Sequence, residues 1–185
     1  MQLESLPWTG DPEADRLLVE NPFALLMGML LDQQFPMERA FYGPFLLQQR
    51  LGAPLSPLQI AAIDPAELQT LFKDPPAIHR FPGAFAKRTQ VLARFIVEYY
   101  DGDTARLWTG ASSGQELYQS LRDLPGFGEA KARIFVGVVG KRLGLGPAGW
   151  EAVAADWPSI ADVALWDDVF TLRQQKREAR AAKKG

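Results

Sequence analysis

The first clear helical pattern follows Asn21-Pro22, where an N-capping residue precedes a proline suited to the first helical position. Apolar side chains then recur at helical spacing and form a wide apolar face that ends near Gln34. Pro36 is placed to open a second helix that runs toward Leu51. Pro44 lies inside this segment and lacks a backbone N–H, so we expect it to kink or split that helix.

The rest of the chain continues the helical pattern, and prolines and glycines separate its segments. It predicts a helix opened by Asp64-Pro65, one from about Phe85 to Tyr100 that Asp101-Gly102 ends, one near Ser113–Arg122, one after Gly128 that Gly144–Pro147 stops, and one capped by Ser159. No sustained alternation of apolar and polar residues bounded by hairpin turns occurs. The sequence therefore predicts an all-α fold with almost no strand.

The composition is that of a folded protein without thiol chemistry. Hydrophobic residues make up 47% of the 185 residues, which is enough to build a substantial core. The absence of cysteine excludes disulfides, thiolate zinc sites and a cysteine-ligated iron–sulfur cluster. The chain shows no secretory signal and no apolar run long enough for a bilayer, so we expect a cytoplasmic protein with no membrane partner.

Charge is distributed unevenly, although the net charge of −2 does not itself indicate nucleic-acid binding. Acidic residues are concentrated in residues 1–20. Residues 173–185 form a basic tail in which six lysines and arginines stand against Glu178 alone. This tail could contact phosphate, or it could be a solvated and frayed terminal helix.

The most specific feature is the pentapeptide Leu124-Pro-Gly-Phe-Gly128 between two predicted helices. Leu124 can anchor the turn in the core, while Gly126 and Gly128 permit left-handed backbone and leave room for a ligand. The helix that follows would present its free N–H groups outward, as an anion site for a phosphate. The alternative is a simple helix–helix connector, which also favours proline and glycine.

Three blocks in a fixed order carry a family resemblance between Asn21 and Pro147. They are Asn21-Pro-Phe…Leu30-Leu31-Asp32-Gln33-Gln34, then Phe81-Pro-Gly83…Lys87-Arg88-Thr-Gln-Val-Leu92, and then the hairpin at 124–128 with the helix after it. Together they resemble the helix–hairpin–helix base-excision DNA glycosylases, the superfamily of endonuclease III and the adenine-mismatch glycosylase. The resemblance implies an all-α, two-lobed fold with a cleft between the lobes. Residues 1–185 would form one unit, with a motif-bearing core of about 22–110 and 111–147 and terminal helices that complete the second lobe.

The same resemblance implies a mode of DNA binding in which the target base is flipped out of the duplex into the cleft. Gln34 would enter the space that the base vacates; alternatively it is an ordinary polar helix end. The partner would be double-stranded DNA, held through its phosphates without sequence reading. The residues expected to take part are Gln34, Lys87, Arg88, Leu124, Gly126, Phe127, Gly128 and Lys131.

The sequence departs from the family pattern at the strand-cutting lysine. Family members that nick the strand carry this lysine two residues after the last hairpin glycine, where its amine forms a Schiff base with the sugar. Ala130 holds that position here, and Lys131 stands one residue later, about 100° further around the helix. We expect Lys131 to face phosphate rather than the sugar carbon, unless a local adjustment by one residue restores it.

A second departure concerns the catalytic carboxylate, which stabilises the cationic sugar or activates water. The family places an aspartate at the end of the loop after the hairpin helices, where this chain has Ala148. The next acids are Glu151, Asp156 and Asp162, and the apolar neighbours of Asp156 could raise its pKa. We take Asp156 and Glu151 as candidate catalytic acids, although a helix cap or a surface acid is the alternative for each. Asp162 follows Ser159 by three residues, as in a capping box.

Cluster-bearing family members carry four cysteines near the C-terminus, and this chain instead has Trp150, Trp157 and Trp166 there. These rings could stack on a flipped base, but packing of a C-terminal helical cap is the preferred interpretation. His79 is the single histidine, so no multi-histidine metal site can form, and we expect a structural role for it. No cofactor is expected beyond a monovalent cation that the hairpin could hold.

These observations lead to three hypotheses. The first is a monomeric, nucleoid-associated glycosylase-like enzyme that removes a damaged or mismatched base, with weak or absent AP-lyase activity because of Ala130. The second is a catalytically impaired DNA-binding or damage-sensing protein, which the alanines at 130 and 148 favour. The third is a helical protein-interaction module. The sequence does not identify the base, because residues far apart in the chain would form its pocket.

Overall fold

The computed structural model describes residues 2–185, and all regular secondary structure in that range is helical. The α-helices are α1 (Pro12–Glu20), α2 (Pro22–Leu31), α3 (Met37–Leu51), α4 (Pro57–Ala62), α5 (Pro65–Lys73), α6 (Pro82–Tyr100), α7 (Arg106–Thr109), α8 (Gly114–Asp123), α9 (Glu129–Gly137), α10 (Trp150–Val153) and α11 (Asp168–Lys184). A π-helical turn (Val138–Arg142) continues α9, and a 3-10 turn (Ile160–Asp162) precedes α11. The all-α prediction is confirmed.

Three of the predicted helix starts are confirmed by capping hydrogen bonds, although the one at Ser159 begins a short 3-10 turn. The Asn21 side chain accepts a hydrogen bond from the Ala24 N–H at 3.1 Å, and Asp64 caps α5 in the same manner. Ser159 and Asp162 form the reciprocal bonds of a capping box, so the capping role of Asp162 is confirmed. Asp11 caps α1, a helix that the apolar pattern did not predict.

Pro44 does not divide α3, which runs without interruption from Met37 to Leu51, so of the two predicted outcomes, a kink or a split, the split is wrong. Pro44 and Gly43 are both buried, and a Cβ added to Gly43 would lie only 2.7 Å from Leu31 Cδ1 on α2. An interior proline costs a helix about 3 kcal/mol. Close packing of α3 against α2 offsets that cost. Local sequence rules include the cost of the proline but not the packing.

Two boundaries also differ from expectation. α2 ends at Leu31, so Gln34 lies in the following loop and not at a helix end. α6 begins at Pro82 and not at about Phe85, which places Gly83 inside its first turn. In both cases the sequence predicts the helix correctly but misplaces its boundary by about three residues.

The core is continuous through the molecule, and α2 lies at its centre. Each residue from Phe23 to Leu31 is buried. α2 packs against α3, α4 and α5 pack on α6, and α8, α9 and α10 pack on one another. The C-terminal part of α2 therefore approaches the segment that carries the hairpin.

Trp150 fills a cradle of glycines near the C-terminus. A Cβ added to Gly140 or Gly146 would come within 2.3 Å of its ring atoms. Trp166 packs partly buried on the core, whereas Trp157 stays 36% exposed beneath the Arg133 guanidinium. Trp150 and Trp166 thus pack the C-terminal segment, as expected. Among the residues described, no helix is both long and apolar enough to cross a membrane.

Candidate nucleic-acid interface and cleft

The hairpin at 124–128 is fixed by two apolar anchors. Leu124 is only 2% exposed, and the buried Phe127 ring meets Phe135 edge-on with centroids 6.4 Å apart. The expected anchoring role of Leu124 is confirmed. Phe127 faces the core, so its contribution to an interface is to hold the turn in place.

The two hairpin glycines differ in backbone conformation and in the space around them. Gly126 has φ of +87°, and a Cβ there would lie 2.6 Å from Leu30 Cδ1. Gly128 has φ of −83° and open space around the position of a Cβ. The predicted left-handed backbone is therefore correct for Gly126 and wrong for Gly128. Gly128 is the N-cap of α9 and offers no capping side chain, so the first N–H groups of that helix are left for an outside acceptor.

A cleft of about 940 Å³ opens beside this helix N-terminus. Its walls come from the end of α2 and the loop after it, from the start of α3, from the first turns of α9 and from α11. The lining residues include Asp32, Gln34, Phe35, Glu38, Arg80, Ala130, Lys131, Ile134, Arg173, Lys176, Arg177 and Arg180. Six of these side chains are cationic and two are carboxylates.

Lys131 lies in this cleft next to Ala130, and its Nζ donates a hydrogen bond to the Leu30 carbonyl oxygen at 3.1 Å. Burial lowers the pKa of Lys131 to about 8, and repulsion from Arg88 acts in the same direction. Attraction to Asp32 opposes both effects. At pH 7.5 about a quarter of an amine with this pKa is neutral, and only the neutral form is nucleophilic.

Asp32 faces the same cleft from the residue that follows α2. Burial raises the pKa of its carboxyl, helped by repulsion from Glu38. Lys176 and Lys131 oppose that rise. Among the described residues, neither lysine lies within ion-pairing distance of Asp32, so the attraction acts across the cleft. The pKa values of Asp32 and Lys131 are thus displaced toward each other, as in sites that transfer protons.

Glu38 is the second carboxylate of the cleft, and one of its oxygens accepts a hydrogen bond from Arg173 of α11. The other oxygen is buried without a hydrogen-bond partner among the described residues. Glu38 therefore attaches α11 to the start of α3, while Asp32 remains the unpaired carboxylate.

Gln34 stands exposed at the mouth of the cleft with φ of +53°. It also borders a smaller depression of about 450 Å³, which includes Phe35, His79 and Arg80. This left-handed backbone places Gln34 at the tip of the loop between the two concavities. It is a position from which a side chain could enter a duplex.

His79 is buried and fastens this loop. Its Nε2 lies 3.1 Å from the carbonyl oxygens of both Leu31 and Gln33, and its Nδ1 accepts the Phe81 N–H at 3.0 Å. Its ring stacks on Phe85 at 3.6 Å. Burial lowers the pKa of His79, so the neutral ring with the proton on Nε2 fits these partners. His79 is structural, as expected.

Lys87 and Arg88 both lie exposed on α6. Arg88 covers the Phe85 ring at 4.7 Å and is close enough to influence the charge of Lys131. Neither residue lines the cleft, so they would contact a nucleic acid only beyond its rim.

The acids proposed from the sequence lie elsewhere. Asp156 is 84% exposed in its side chain and pairs with Arg133 at 3.7 Å. Glu151 is exposed in the first turn of α10, and Asp162 pairs with Lys141 and caps the 3-10 turn. None of the three lines the cleft. Ala148 is exposed and accepts the Gly114 N–H at 2.8 Å, so it holds its loop against α8.

Sequence reasoning assigned no role to Asp32, Glu38 or Arg80, which line the cleft, and it named the basic tail only as a candidate phosphate contact without placing its cations there. Asp32 was part of the block that carries the resemblance, and its position directly after a wholly apolar helix was the available signal. The cleft lining comes from segments up to about 150 residues apart, so no local pattern could assemble it.

Among residues 2–185, no group of three or more histidine, cysteine, aspartate or glutamate side chains is arranged to hold a metal ion. A comparison with protein-family models found no matching family. Searches of curated proteins and of solved structures found no match either.

Proposed function

We propose that this protein is a DNA glycosylase of the two-lobed helix–hairpin–helix type, which binds duplex DNA and removes a damaged or mismatched base. The observation that carries the proposal is the presence of Asp32 and Lys131 in one cleft directly beside the open N-terminus of α9. It combines an anion site with a reactive acid–amine pair, and each has a distinct task in base excision.

The α9 N-terminus supplies the DNA contact. Its free N–H groups and the positive end of the helix dipole favour a phosphate oxygen. Gly128 leaves the approach open, because no atom lies within 4 Å of the position of a Cβ. Such contacts fix the register of the backbone without reading the bases. A phosphate held there would place its nucleotide next to the cleft.

The cleft supplies the space for the base. Its volume of about 940 Å³ lies within the range of small-molecule pockets and exceeds the need of one nucleobase. Gln34 at the mouth is placed to fill the gap left in the stack when the base turns out. Arg80 and Phe35 at the rim offer a cation and an aromatic face to bases or phosphates.

Asp32 supplies the chemistry. The N-glycosidic bond breaks with its electron pair leaving on the base, and positive charge develops on the sugar. A desolvated carboxylate gains more from that charge than one in water, and it can then accept the proton of the water that adds to the sugar carbon. Burial of Asp32 provides the desolvation.

Lys131 keeps the site cationic and holds its geometry through Leu30. Because its amine is engaged by that carbonyl and Ala130 occupies the family's lysine position, base release should exceed strand scission. A small amount of Schiff base is expected from the neutral fraction of the amine.

The test is a panel of duplexes, each with one damaged or mismatched base, in which base release and strand scission are measured separately. At least one duplex should lose its base. Asp32→Asn should abolish release without loss of DNA binding, whereas Asp156→Asn, a matched change outside the cleft, should have no effect. Borohydride should trap little adduct, and Lys131→Gln should remove it.

Two outcomes would overturn this assignment. Tight duplex binding without release across the panel would indicate a damage-sensing protein, for which Ala130 and Ala148 already argue. Absence of duplex binding would leave a helical interaction module. Full base release by the Asp32→Asn variant would show that Asp32 is not the catalytic acid, although the protein would still be a glycosylase.

A further inference from the structure

The C-terminal helix α11 is packed at its beginning and free along the rest of its length. Val169 and Leu172 are buried in the core, and the Asp168 carboxylate accepts the N–H groups of Ala164 and Leu165. From Gln174 to the end of the helix nearly all residues are exposed. Core burial therefore explains how α11 begins but does not explain why its second half carries a dense row of cations.

The cations of that row have the spacing of one helix face, and they face the same cleft. Arg173, Lys176, Arg177 and Arg180 stand at positions i, i+3, i+4 and i+7, which share a face of a helix. All four line the large cleft. Glu178, the single acid of the segment after Arg173, does not line the cleft. The basic tail predicted from the sequence is thus a wall of the cleft.

Protein carboxylates do not neutralise this wall. Glu38 pairs with Arg173, which leaves Lys176, Arg177 and Arg180 without an ion pair among the described residues. Asp32 attracts Lys176 across the cleft and is the other carboxylate there. A protein with a net charge of −2 that collects unpaired cations on one wall has a local surface suited to a polyanion.

We propose that Lys176, Arg177 and Arg180 form a second phosphate-binding element, which holds the DNA backbone at the α11 wall of the cleft, apart from the α9 N-terminus. The identity of the polyanion as duplex DNA rests on the proposed function. From Lys176 to Arg180 the helix rises about 6 Å at 1.5 Å per residue. The long, flexible stems of these three side chains spread their charges beyond that rise, so each can meet its own phosphate along one strand, at about 3.4 Å of duplex axis per phosphate.

Two phosphate contacts on different walls of the cleft fix the DNA strand at two points, whereas the hairpin alone fixes it at one. The α9 N-terminus holds one position of the backbone and α11 holds a second, so the nucleotide between them is presented to the cleft that contains Asp32. Arg173 keeps its contact with Glu38 and positions the helix.

The experiment measures binding of an undamaged fluorescent duplex at several salt concentrations. In the variant Lys176→Gln, Arg177→Gln, Arg180→Gln, affinity should fall, and the slope of log K against log salt should flatten by about 2.7, or 0.9 for each phosphate that the protein no longer neutralises. The control removes the same charge with Arg16→Gln, Lys73→Gln and Arg94→Gln, exposed residues outside the cleft. It should leave the slope nearly unchanged. Thermal unfolding of both variants should match the parent, since all the substituted side chains lie outside the core.

The outcomes separate this inference from the assigned activity. An unchanged slope in the α11 variant would overturn it, as would an equal effect in the control. Tighter binding by the α11 variant would show instead that α11 shields the cleft. If the slope flattens as expected but no duplex of the panel loses a base, the phosphate-binding element stands and the glycosylase assignment fails.

Discussion

Lys131 donates a hydrogen bond from Nζ to the carbonyl oxygen of Leu30 across a separation of 101 residues in sequence. Leu30 lies in the last turn of α2, where carbonyl groups lack helical partners. A cation at that end of a helix is also favoured by the dipole. The same leucine touches the hairpin at Gly126, so the start of α9 and the end of α2 are fixed to each other at one residue. This junction brings Lys131 and Asp32 into the same cleft.

Replacing Asp32 by asparagine should lower the pKa of Lys131 below its value of about 8. Attraction to the Asp32 carboxylate is the effect that raises the pKa of this lysine, and the variant leaves burial and Arg88 to act alone. The pKa can be followed by NMR of labelled lysine side chains between pH 6 and 10. Glu38→Gln removes the other cleft carboxylate, which does not contribute to the Lys131 shift, and should leave that pKa in place. An unchanged pKa in Asp32→Asn would mean that the two groups do not interact.

The two hairpin glycines should respond differently to alanine. Gly126→Ala forces a side chain into a positive-φ position and against Leu30 Cδ1, so we expect a loss of about 1–3 kcal/mol in the free energy of unfolding. Gly128→Ala meets no neighbour within 4 Å and has ordinary backbone, so stability should change little. If phosphate approaches the α9 N-terminus, Gly128→Ala should nevertheless weaken duplex binding. Denaturant unfolding and duplex titration measure the two effects, and equal stability losses would contradict this division.

The sequence was a good guide to helices and a poor guide to the cleft, for physical reasons. Capping at Asn21, Asp64 and Ser159 depends on a few adjacent residues, and each of these caps forms as predicted. The continuity of α3 through Pro44 depends on packing against α2, which is a tertiary effect.

The candidate site depends still more on tertiary structure. The acids after Ala148 were considered because they follow the family's aspartate position in sequence. In the structure they form a helix cap and an exposed ion pair with nearby partners, and none of them lines the cleft. Asp32 gains its raised pKa from burial, and the lysines that moderate it lie on α9 and α11, more than 90 residues away. Hydrophobic periodicity and turn-forming residues report on neighbours in the sequence, so they do not predict contacts between residues so far apart in the chain. The order of the three sequence blocks located the hairpin, and the fold was needed to find what faces it.

Stability should fall as the pH is lowered below about 6.5 because of His79. Burial, and to a lesser degree Arg88 and Lys131, lower its pKa in the folded protein, while hydrogen bonds to Gln33 and Leu31 oppose the shift. Between the lowered pKa and the unfolded value of about 6.5, the unfolded chain binds more protons, so the free energy of unfolding decreases with falling pH. The contribution is complete above pH 6.5.

The effect can be isolated because His79 is the only histidine in the chain. Buried carboxyls with raised pKa values, Asp15 and Asp32, act in the opposite direction, since their folded state binds the extra proton. The difference between the parent and His79→Phe cancels those terms. Urea unfolding from pH 5 to 7.5 should show this difference largest at the high end and shrinking toward pH 5. A constant difference would mean that His79 does not titrate abnormally.

Glu129 allows stability and DNA binding to be separated at the α9 N-terminus. It is exposed in the first turn, where a negative charge stabilises the helix dipole by about 0.3–1 kcal/mol. The same charge repels a phosphate that approaches those N–H groups. Glu129→Gln should therefore lower stability slightly and tighten binding of an undamaged duplex, most clearly at low salt where screening is weak.

Glu151→Gln is the matched control, because Glu151 is also an exposed acid in the first turn of a helix, but its helix, α10, contributes no residue to the cleft. It removes the same charge from the protein, so any general gain in attraction to DNA appears in both variants. Only the excess in Glu129→Gln reports on a phosphate at α9. Equal gains would show that the backbone passes elsewhere and that the N-terminus of α9 is not its binding point.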